Sequence, residues 1–183
     1  MYASMDQNNK IIPCSFEQHA DAILAIFNDA ILHSTALYEY QERSLHQIKD
    51  WFLAKQAAHF PVIGIENTAG ELMGFASYGM FRAFPANQFT VEHSIYVDQA
   101  YRGQGLGRIL LEAIIAEAKN NNMHVMIGGI DATNQGSIIL HEKLGFEHAG
   151  TLKEVAFKFD RWLDLAFYQL ILSDELNLHK KSY

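Results

Sequence analysis

The chain has 183 residues, of which 49% are hydrophobic, and it carries a net charge of −7 at neutral pH. This length is typical of a single domain, and the hydrophobic content is sufficient for a core. The acidic charge argues against a general nucleic-acid-binding surface, which is normally basic, so we expect no nucleic-acid partner.

Cysteine content and hydropathy bear on the compartment. The single cysteine, Cys14, cannot form an internal disulfide, and the N-terminus lacks the basic-then-apolar layout of a signal peptide. No apolar run approaches the roughly 18 residues of a membrane span. We therefore expect a cytoplasmic protein without a membrane partner, formed by one domain over residues 1–183 with a core at about 10–172 and frayed ends at 1–9 and 179–183.

The N-terminal half predicts a strand, two helices and three further strands. Ser15 and Ser44 each have a glutamine three residues later, which is the capping-box signal for the start of a helix. Apolar residues then recur at helical spacing, and turn residues at 67–70 separate two apolar runs as in a hairpin. The predicted elements are a strand at 10–14, helices at 16–31 and 44–58, and strands at 61–66, 72–81 and 90–97.

The strand over 90–97 alternates between two faces. One face carries apolar side chains and His93, and the other carries Glu92 and Tyr96. We expect the first face to belong to the core, with His93 buried and hydrogen-bonded to backbone. The second face is expected to be available to a site.

The C-terminal half predicts two further helices and three strands. A nearly continuous apolar run is typical of a strand buried on both faces, and Gly145 lies where a helix ends in a left-handed residue. The predicted elements are a helix at 106–119, a strand at 124–130, a helix at 134–144 and a hairpin of strands at 147–157 and 163–172. The complete order is β-αα-βββ-α-β-α-ββ.

Three glycines in five positions precede the helix that begins at Leu106, in the loop Arg102-Gly103-Gln104-Gly105-Leu106-Gly107. Glycine permits a tight turn and a close approach of backbone N–H groups to a ligand, and a helix start adds free amides and a positive dipole end. The loop therefore predicts a phosphate or pyrophosphate cradle with Arg102 and Arg108 as nearby cations. A turn that only links strand to helix is the alternative. The glycine spacing fits neither a P-loop nor the dinucleotide fingerprint.

The Arg-x-x-Gly-x-Gly pattern resembles the acetyl-CoA loop of the GNAT superfamily of N-acetyltransferases. The predicted element order is also that of a GNAT domain, an α/β (α+β) fold with a mixed, twisted sheet of about seven strands flanked by about four helices. Within that superfamily, Thr90-Val91-Glu92-His93-Ser94-Ile95-Tyr96-Val97 and His141 to Phe146 are similar to the T-x-E-x-S-x-Y-V and H-x-x-L-G-F/Y motifs of the phosphinothricin and methionine-sulfoximine N-acetyltransferases. Shorter matches lie at 28–31, 34–36, 76–79 and 161–164.

The resemblance implies acetyl-CoA as co-substrate and assigns residues to its binding. Backbone groups of Ile95, Tyr96 and Val97 would contact the acetyl carbonyl and pantetheine. The pyrophosphate would lie on Arg102, Gly103, Gln104, Gly105, Leu106 and Gly107. Asn134 would contact pantetheine, although a plain helix N-cap explains that asparagine equally well.

For the acceptor, the resemblance implies a site beneath the irregular segment that follows the third strand. The implied substrate-binding residues are Thr35, Arg82, Phe84, Thr90 and Glu92. An arginine suits an acidic substrate group because its fork pairs two oxygens at once, while a surface arginine beside a core phenylalanine is the alternative. Phe81 and Ala83 depart from the Trp and Pro of close members, which bears on fine substrate choice.

Acetyl transfer from a thioester to an amine needs a base for the amine proton and a donor for the departing thiolate. Glu92 is the predicted base, with an exposed carboxylate in a surface ion pair as the alternative. His141 occupies the position of the family's proton donor, and histidine titrates near neutral pH. A surface or boundary histidine is the alternative there.

Two other chemistries are not expected. The nine histidines include no His-x-x-x-His spacing and there is no cysteine pair, so we predict no metal. Cys14 lies far from the glycine loop in sequence, which disfavours an acetyl-cysteine intermediate and favours direct transfer in a ternary complex.

These observations predict an acetyl-CoA-dependent N-acetyltransferase for the α-amino group of a small amino-acid analogue, such as phosphinothricin, methionine sulfoximine or methionine sulfone. The alternatives are acetylation of protein N-termini, polyamines or aminoglycosides, and a non-catalytic acyl-CoA-binding sensor. Glu92 and His141 argue against the sensor, and Arg82 argues against a basic acceptor. Family resemblance suggests a homodimer.

Overall fold

A computed structural model describes residues 9–172 and contains seven strands, four α-helices and two short 3-10 helices, Pro85–Asn87 and Gln99–Tyr101, in that range. The elements are β1 (Lys10–Pro13), α1 (Phe16–His33), α2 (Leu45–Ala57), β2 (Val62–Glu66), β3 (Leu72–Met80), β4 (Thr90–Val97), α3 (Leu106–Asn120), β5 (Val125–Asp131), α4 (Gln135–Lys143), β6 (Glu147–Lys158) and β7 (Arg161–Ile171). This order confirms the predicted one, and every boundary lies within two residues of its prediction. The predicted frayed ends fall outside the described residues except for Asn9.

All seven strands form one mixed sheet in the order β1-β2-β3-β4-β5-β7-β6. Only the central pair, β4 and β5, is parallel; the other neighbours are antiparallel. β4 and β5 are paired over just three positions, which end at Glu92 and Ile127. Beyond them, 93–97 and 128–131 no longer pair with each other, and we call this opening the β4–β5 split.

Helices cover both faces of the sheet. On one face α3 packs through Leu110 into a core that includes Val91 of β4. On the other face α1 and α2 form a second core, in which the ring of Tyr96 lies 5.0 Å from that of Phe27 and 5.4 Å from that of Phe75, centroid to centroid. The expectation that this second face of β4 is open was therefore wrong at Tyr96, because α1 covers it.

The two predicted capping boxes have different outcomes. At Ser44 the box is confirmed, since its hydroxyl accepts from the Gln47 backbone and the Gln47 side chain accepts from the Ser44 backbone. At Ser15 the prediction was wrong: the hydroxyl makes no cap, and the Ser15 N–H donates to Nδ1 of His19 at 3.0 Å. His19, one turn into α1, therefore accepts the Ser15 N–H in place of the Gln18 side chain.

A buried lysine fixes the loop that follows α1. The Lys158 ammonium, at the end of β6, donates to the backbone carbonyls of Ile31, Ser34 and Leu37 at 2.7, 2.8 and 2.6 Å. Burial in this position lowers the pKa of Lys158. The β6–β7 hairpin therefore holds the segment that carries Thr35. Among residues 9–172, none of the helices is both long and apolar enough to cross a membrane.

Candidate active site

Glu92 is the last β4 residue that pairs with β5, and its half-buried side chain lies beside Gly129. A Cβ on Gly129 would lie 2.9 Å from Oε1 of Glu92, so the glycine leaves room for the carboxylate. Burial raises the pKa of Glu92 above the ordinary glutamate value. The described residues contain no ion-pair partner for Glu92, so the structure does not support the surface ion pair. The geometry is that of a carboxylate able to accept a proton.

His141 contacts His93 on the face of the sheet opposite to that of Glu92. Nε2 of His141 is 3.0 Å from Nε2 of His93, and the two rings stack with centroids 5.0 Å apart and 16° between their planes. Nδ1 of His141 lies 2.7 Å from the Ser137 carbonyl oxygen, one turn earlier in α4. The edge of Phe146 closes this pair from the side. His141 is only 4% exposed, so it is not a surface residue.

Both imidazoles are held in their neutral form. Burial, with the neighbouring His141 as a second cause, lowers the pKa of His93 to about 3. Burial also lowers the pKa of His141, opposed in part by the hydrogen bond to Ser137. The expectation that His93 is buried is confirmed, but its expected backbone partner was wrong. The partner is another histidine, which the sequence signalled only through two separate motifs 48 residues apart.

The predicted base and the predicted proton donor lie on opposite faces of the sheet. Glu92 and His93 are consecutive in β4, and Gly129 and Gly128 are consecutive in β5. A Cβ on Gly128 would lie 2.9 Å from Nε2 of His93 and 3.2 Å from the His141 ring, whereas Gly129 faces Glu92. Since neighbouring residues of a strand point to opposite faces, Glu92 and His141 line no common wall. The β4–β5 split is open to both faces of the sheet, and it therefore connects the side of Glu92 with the side of His141.

The glycine loop has the backbone that a cradle needs. Gly103 and Gly105 both have φ of +79°, and Gly105 is the N-cap residue of α3. A Cβ at either position would meet nothing within 4 Å, so it is the left-handed backbone rather than crowding that favours glycine there. Gly107 lies inside α3 with ordinary space around it, and the structure gives no reason for glycine at that position.

The two loop arginines already have carboxylate partners. Arg102 donates to Oδ2 of Asp29 at 2.6 Å and to the Val97 carbonyl at 3.2 Å. Arg108 donates to Glu112 one turn along α3 at 2.7 Å. Asp29 belongs to one of the short matching segments, so its place in that pattern has a structural reason: it ties the loop to α1. The backbone amides of the loop are therefore the groups left for an anion, and their contact with a pyrophosphate stays a prediction.

Asn134 is the N-cap of α4, since its Oδ1 accepts from the Ser137 N–H at 3.1 Å. The structure thus shows the plain helix N-cap that was the alternative for Asn134, and the pantetheine contact stays a prediction. The cap fixes the first turn of α4, whose Ser137 carbonyl holds His141. Asn134 therefore acts at least indirectly on the histidine pair.

Thr35 joins a buried polar cluster at the end of β5 that sequence analysis missed. Asp131, almost fully buried, accepts from Thr35 and Thr133 and forms an ion pair with Arg161 at 3.2 Å. Burial opposes ionisation, but these partners outweigh it and lower the pKa of Asp131. Asp131 shares its face of β5 with Gly129 and hence with Glu92. The sequence signals for members of this cluster were the short matches at 34–36 and 161–164, neither of which indicated Asp131.

The remaining predicted acceptor residues are more exposed. Arg82 lies over the face of Phe81, 5.6 Å from its centroid, and Phe84 is 64% exposed. Phe81 in turn contacts Phe167, which is paired with Gly129 in the sheet. Thr90 is two residues before Glu92 and so shares its face. Thr90 and Glu92 therefore lie on the same face of β4, whereas Arg82 and Phe84 lie in the segment after β3 and outside that face.

Cys14 lies between β1 and α1, and its sulfur is next to Gly64 of β2. Burial, with Glu66 as a second cause, raises the pKa of Cys14 to about 12. Its sulfur is therefore a neutral thiol at physiological pH, which is a poor nucleophile.

Comparison with known proteins bears on what this site is. A family model described as "Acetyltransferase (GNAT) family" matches residues 22–146, which is more than half of the chain and contains β4, the glycine loop and His141. An L-methionine sulfoximine/L-methionine sulfone acetyltransferase of Pseudomonas paraeruginosa is 45% identical over 150 residues, which cover 82% of this chain and 87% of the relative.

Solved structures agree with this result. An N-acetyltransferase from Staphylococcus aureus Mu50 is 47% identical and superposes with a TM-score of 0.88, covering 91% of this chain and 100% of that one. A GNAT superfamily phosphinothricin acetyltransferase from Sinorhizobium meliloti, solved in complex with acetyl-CoA, superposes with a TM-score of 0.88 at 29% identity, covering 93% and 91%. The chain therefore belongs to the GNAT family of acetyltransferases.

Proposed function

We propose that this protein transfers the acetyl group of acetyl-CoA to the α-amino group of methionine sulfone, methionine sulfoximine or, as a third acceptor, phosphinothricin. The observation that carries the proposal is the half-buried Glu92, whose pKa is raised, at the vertex of the β4–β5 split and on the strand that leads into the glycine loop. The family and the named relatives support the same reaction.

Acetyl-CoA would lie along the edge of β4 that is free beyond Glu92. Backbone groups of Ile95, Tyr96 and Val97 on this edge, which β5 does not pair, would contact the pantetheine and the acetyl carbonyl. The amides at 103–107 would hold the pyrophosphate, aided by the positive end of α3. This route places the thioester at the split and Glu92 beside it.

The acceptor would approach from the face of Glu92. Its ammonium loses a proton to Glu92, and the neutral amine then attacks the thioester carbonyl directly. Thr35, Thr90 and Phe84 would line this approach, and Arg82 would pair with the acidic group of the substrate. The neutral thiol of Cys14 supports direct transfer in a ternary complex over an acetyl-cysteine intermediate.

The test is coenzyme A release across an acceptor panel, with the N-acetyl product identified by mass spectrometry. Methionine sulfone, methionine sulfoximine and phosphinothricin should give turnover, while spermidine, kanamycin and an N-terminal peptide should give little. A preference for spermidine or the peptide would refute the substrate class. Acetyl-CoA binding with no turnover on any acceptor would favour the non-catalytic sensor.

We also propose a homodimer formed through the β6–β7 hairpin. Five large apolar side chains on this hairpin are between 43% and 60% exposed, and we call them the hairpin patch: Leu152, Val155, Phe157, Phe159 and Trp162. The rings of Phe157 and Trp162 contact each other with centroids 5.2 Å apart, and exposed apolar side chains gathered on one hairpin are typical of an interface. Trp162→Glu should shift the mass measured by light scattering from dimer to monomer, and an unchanged mass would remove the hairpin patch from the interface.

We place the protein in the cytoplasm, where the single cysteine would stay reduced and acetyl-CoA is available. Cell fractionation with an antibody to the chain tests this location, and recovery in a membrane or extracellular fraction would refute it.

A further inference from the structure

The histidine pair allows the proton on each ring to be assigned from geometry. The Ser137 carbonyl oxygen can only accept a hydrogen bond, so Nδ1 of His141, 2.7 Å away, carries the proton. In a neutral His141 the other nitrogen, Nε2, is then bare. Both ring nitrogens of His141 are engaged, because its bare Nε2 lies 3.0 Å from Nε2 of His93.

The same reasoning fixes His93. Two bare nitrogens 3.0 Å apart would repel each other, so Nε2 of His93 carries the proton and donates it to His141. Nδ1 of His93 is therefore the bare nitrogen at the end of the pair. It is the one buried side-chain nitrogen or oxygen within residues 9–172 that has no hydrogen-bond partner. A buried acceptor without a donor is destabilising, so its persistence calls for an explanation.

The position of His93 supplies one. His93 is the first residue of β4 beyond its pairing with β5, and it therefore stands at the vertex of the β4–β5 split. Gly128, directly after the last paired residue of β5, leaves the space that the two rings occupy. His93 lies two residues before Ile95, where the proposed function places the acetyl carbonyl.

We propose that Nδ1 of His93 is the atom through which the histidine pair exchanges a proton with the reacting thioester, and that His141 is a positioning residue. This inference rests on the proposed function for the location of the thioester. The assignment of the two protons does not depend on it.

The amine lone pair forms the C–N bond and the carbonyl π electrons move to oxygen, which leaves an ammonium in the tetrahedral adduct. Nδ1 of His93 takes one proton from that ammonium, and the hydrogen bond from Nε2 of His93 to Nε2 of His141 stabilises the imidazolium that forms. The oxygen then re-forms the carbonyl as the C–S bond breaks, the electrons of that bond leave on sulfur, and Nδ1 returns its proton so that the thiolate becomes the thiol. One proton has moved from nitrogen to sulfur, and the pair is unchanged.

Two glutamine variants distinguish this arrangement from direct donation by His141. His93→Gln keeps an amide N–H for His141 but removes the exchanging nitrogen, so kcat on methionine sulfone should fall by about 10²- to 10⁴-fold. His141→Gln keeps an oxygen that accepts from His93, so kcat should fall by about tenfold or less. A larger loss in His141→Gln than in His93→Gln, or equal losses, would overturn the proposal.

A second measurement does not require activity or a stable variant. Nitrogen-15 NMR of the imidazoles in the full parent chain should show His93 with a proton on Nε2 and His141 with a proton on Nδ1. The reverse assignment, with a bare Nδ1 on His141, would refute the proposal. Turnover by the parent on the acceptor panel separately tests the proposed function, so the two failures are distinguishable. Acetyl-CoA affinity and the thermal midpoint of each glutamine variant show whether a loss of kcat reflects chemistry or misfolding.

Discussion

Glu92 and His93 are consecutive residues at the end of the β4–β5 pairing, and each side chain occupies space left by one of two consecutive glycines of β5. Glu92 lies beside Gly129 on the face of α1 and α2, and His93 lies beside Gly128 on the face of α3 and α4. The carboxylate and the histidine pair therefore reach the same opening from opposite sides. This relationship makes them separable by mutation.

Alanine at Gly128 should disturb the histidine pair, and alanine at Gly129 should disturb Glu92. In Gly128→Ala the new Cβ meets the buried His93 ring at 2.9 Å, and a packed ring cannot move, so the free energy of unfolding should fall by about 1–3 kcal/mol. In Gly129→Ala the contact is with the end of the flexible Glu92 side chain, so stability should change less while kcat falls. Urea denaturation and steady-state kinetics on both variants check this, and equal stability losses would contradict the packing argument.

Removing the charge of Glu92 should slow the chemical step. Glu92→Gln keeps the size of the side chain but cannot accept a proton, so kcat should fall by about 10²- to 10⁴-fold with the Kd for acetyl-CoA unchanged. Glu147→Gln, an exposed carboxylate on β6, is the matched control and should behave like the parent. Near-parental turnover in Glu92→Gln would exclude this residue as the base.

The acidic limb of the pH–rate profile should report Glu92. Burial raises its pKa, and only the ionised carboxylate can act as a base. As the pH falls, kcat/KM should therefore begin to decrease at a higher pH than an ordinary glutamate would give. The profile of Glu92→Gln should lack this limb, and a limb that persists in the variant would assign it to another group.

The histidine pair should make folding stability pH-dependent in a defined direction. The pKa of His93 is lowered from 6.5 to about 3 in the folded protein, so between these values the unfolded chain binds more protons. The free energy of unfolding is then fully retained above about pH 6.5 and falls by about 1.4 kcal/mol per pH unit below it. His93→Gln removes this group, so its stability should depend less steeply on pH between 6.5 and 4. Parallel curves for parent and variant, from urea denaturation, would refute the burial of a neutral His93.

The glycine loop offers a matched pair for cofactor binding. Gly105 has φ of +79°, a conformation that costs an L-residue about 1–2 kcal/mol, so Gly105→Ala should distort the loop and weaken acetyl-CoA binding by about tenfold. Gly107 is helical, and its nearest neighbour to a new Cβ is Leu140 at 3.7 Å, so Gly107→Ala should bind like the parent. Calorimetric titration with acetyl-CoA measures both. Equal affinities in the two variants would mean that the left-handed backbone of the loop is not required.

Local patterns in the sequence predicted most of the architecture. Apolar periodicity, the Ser44 capping box and Gly145 depend on residues within a few positions of each other, and they predicted the order of the seven strands and four α-helices. The predicted cap at Ser15 failed because His19, one turn away in the same helix, competes for the same backbone N–H. Such competition is invisible to a motif that counts only serine and glutamine.

The chemistry-bearing residues Glu92 and His141 were found as residues of two motifs, but their relationship was not. A strand alternates, so the sequence placed Glu92 and His93 on opposite faces; which helix would cover each face depends on chain segments far away in sequence. The same holds for the contact between His93 and His141, and for Asp131 with Thr35 and Arg161. These partners meet only when the sheet and its helices have assembled.

By itself, the sequence determined the element order and the glycine loop, because periodicity and spacing act over short stretches of chain, while the candidates Glu92 and His141 came from motifs that resemble those of the GNAT family. Only the tertiary structure decided that pairing between β4 and β5 stops after Glu92, that Nδ1 of His93 is left without a hydrogen-bond partner, and that Lys158 holds the loop of Thr35. Each of these depends on burial and on hydrogen-bond partners from distant segments. Packing alone determines which groups lose water and which atoms they meet instead.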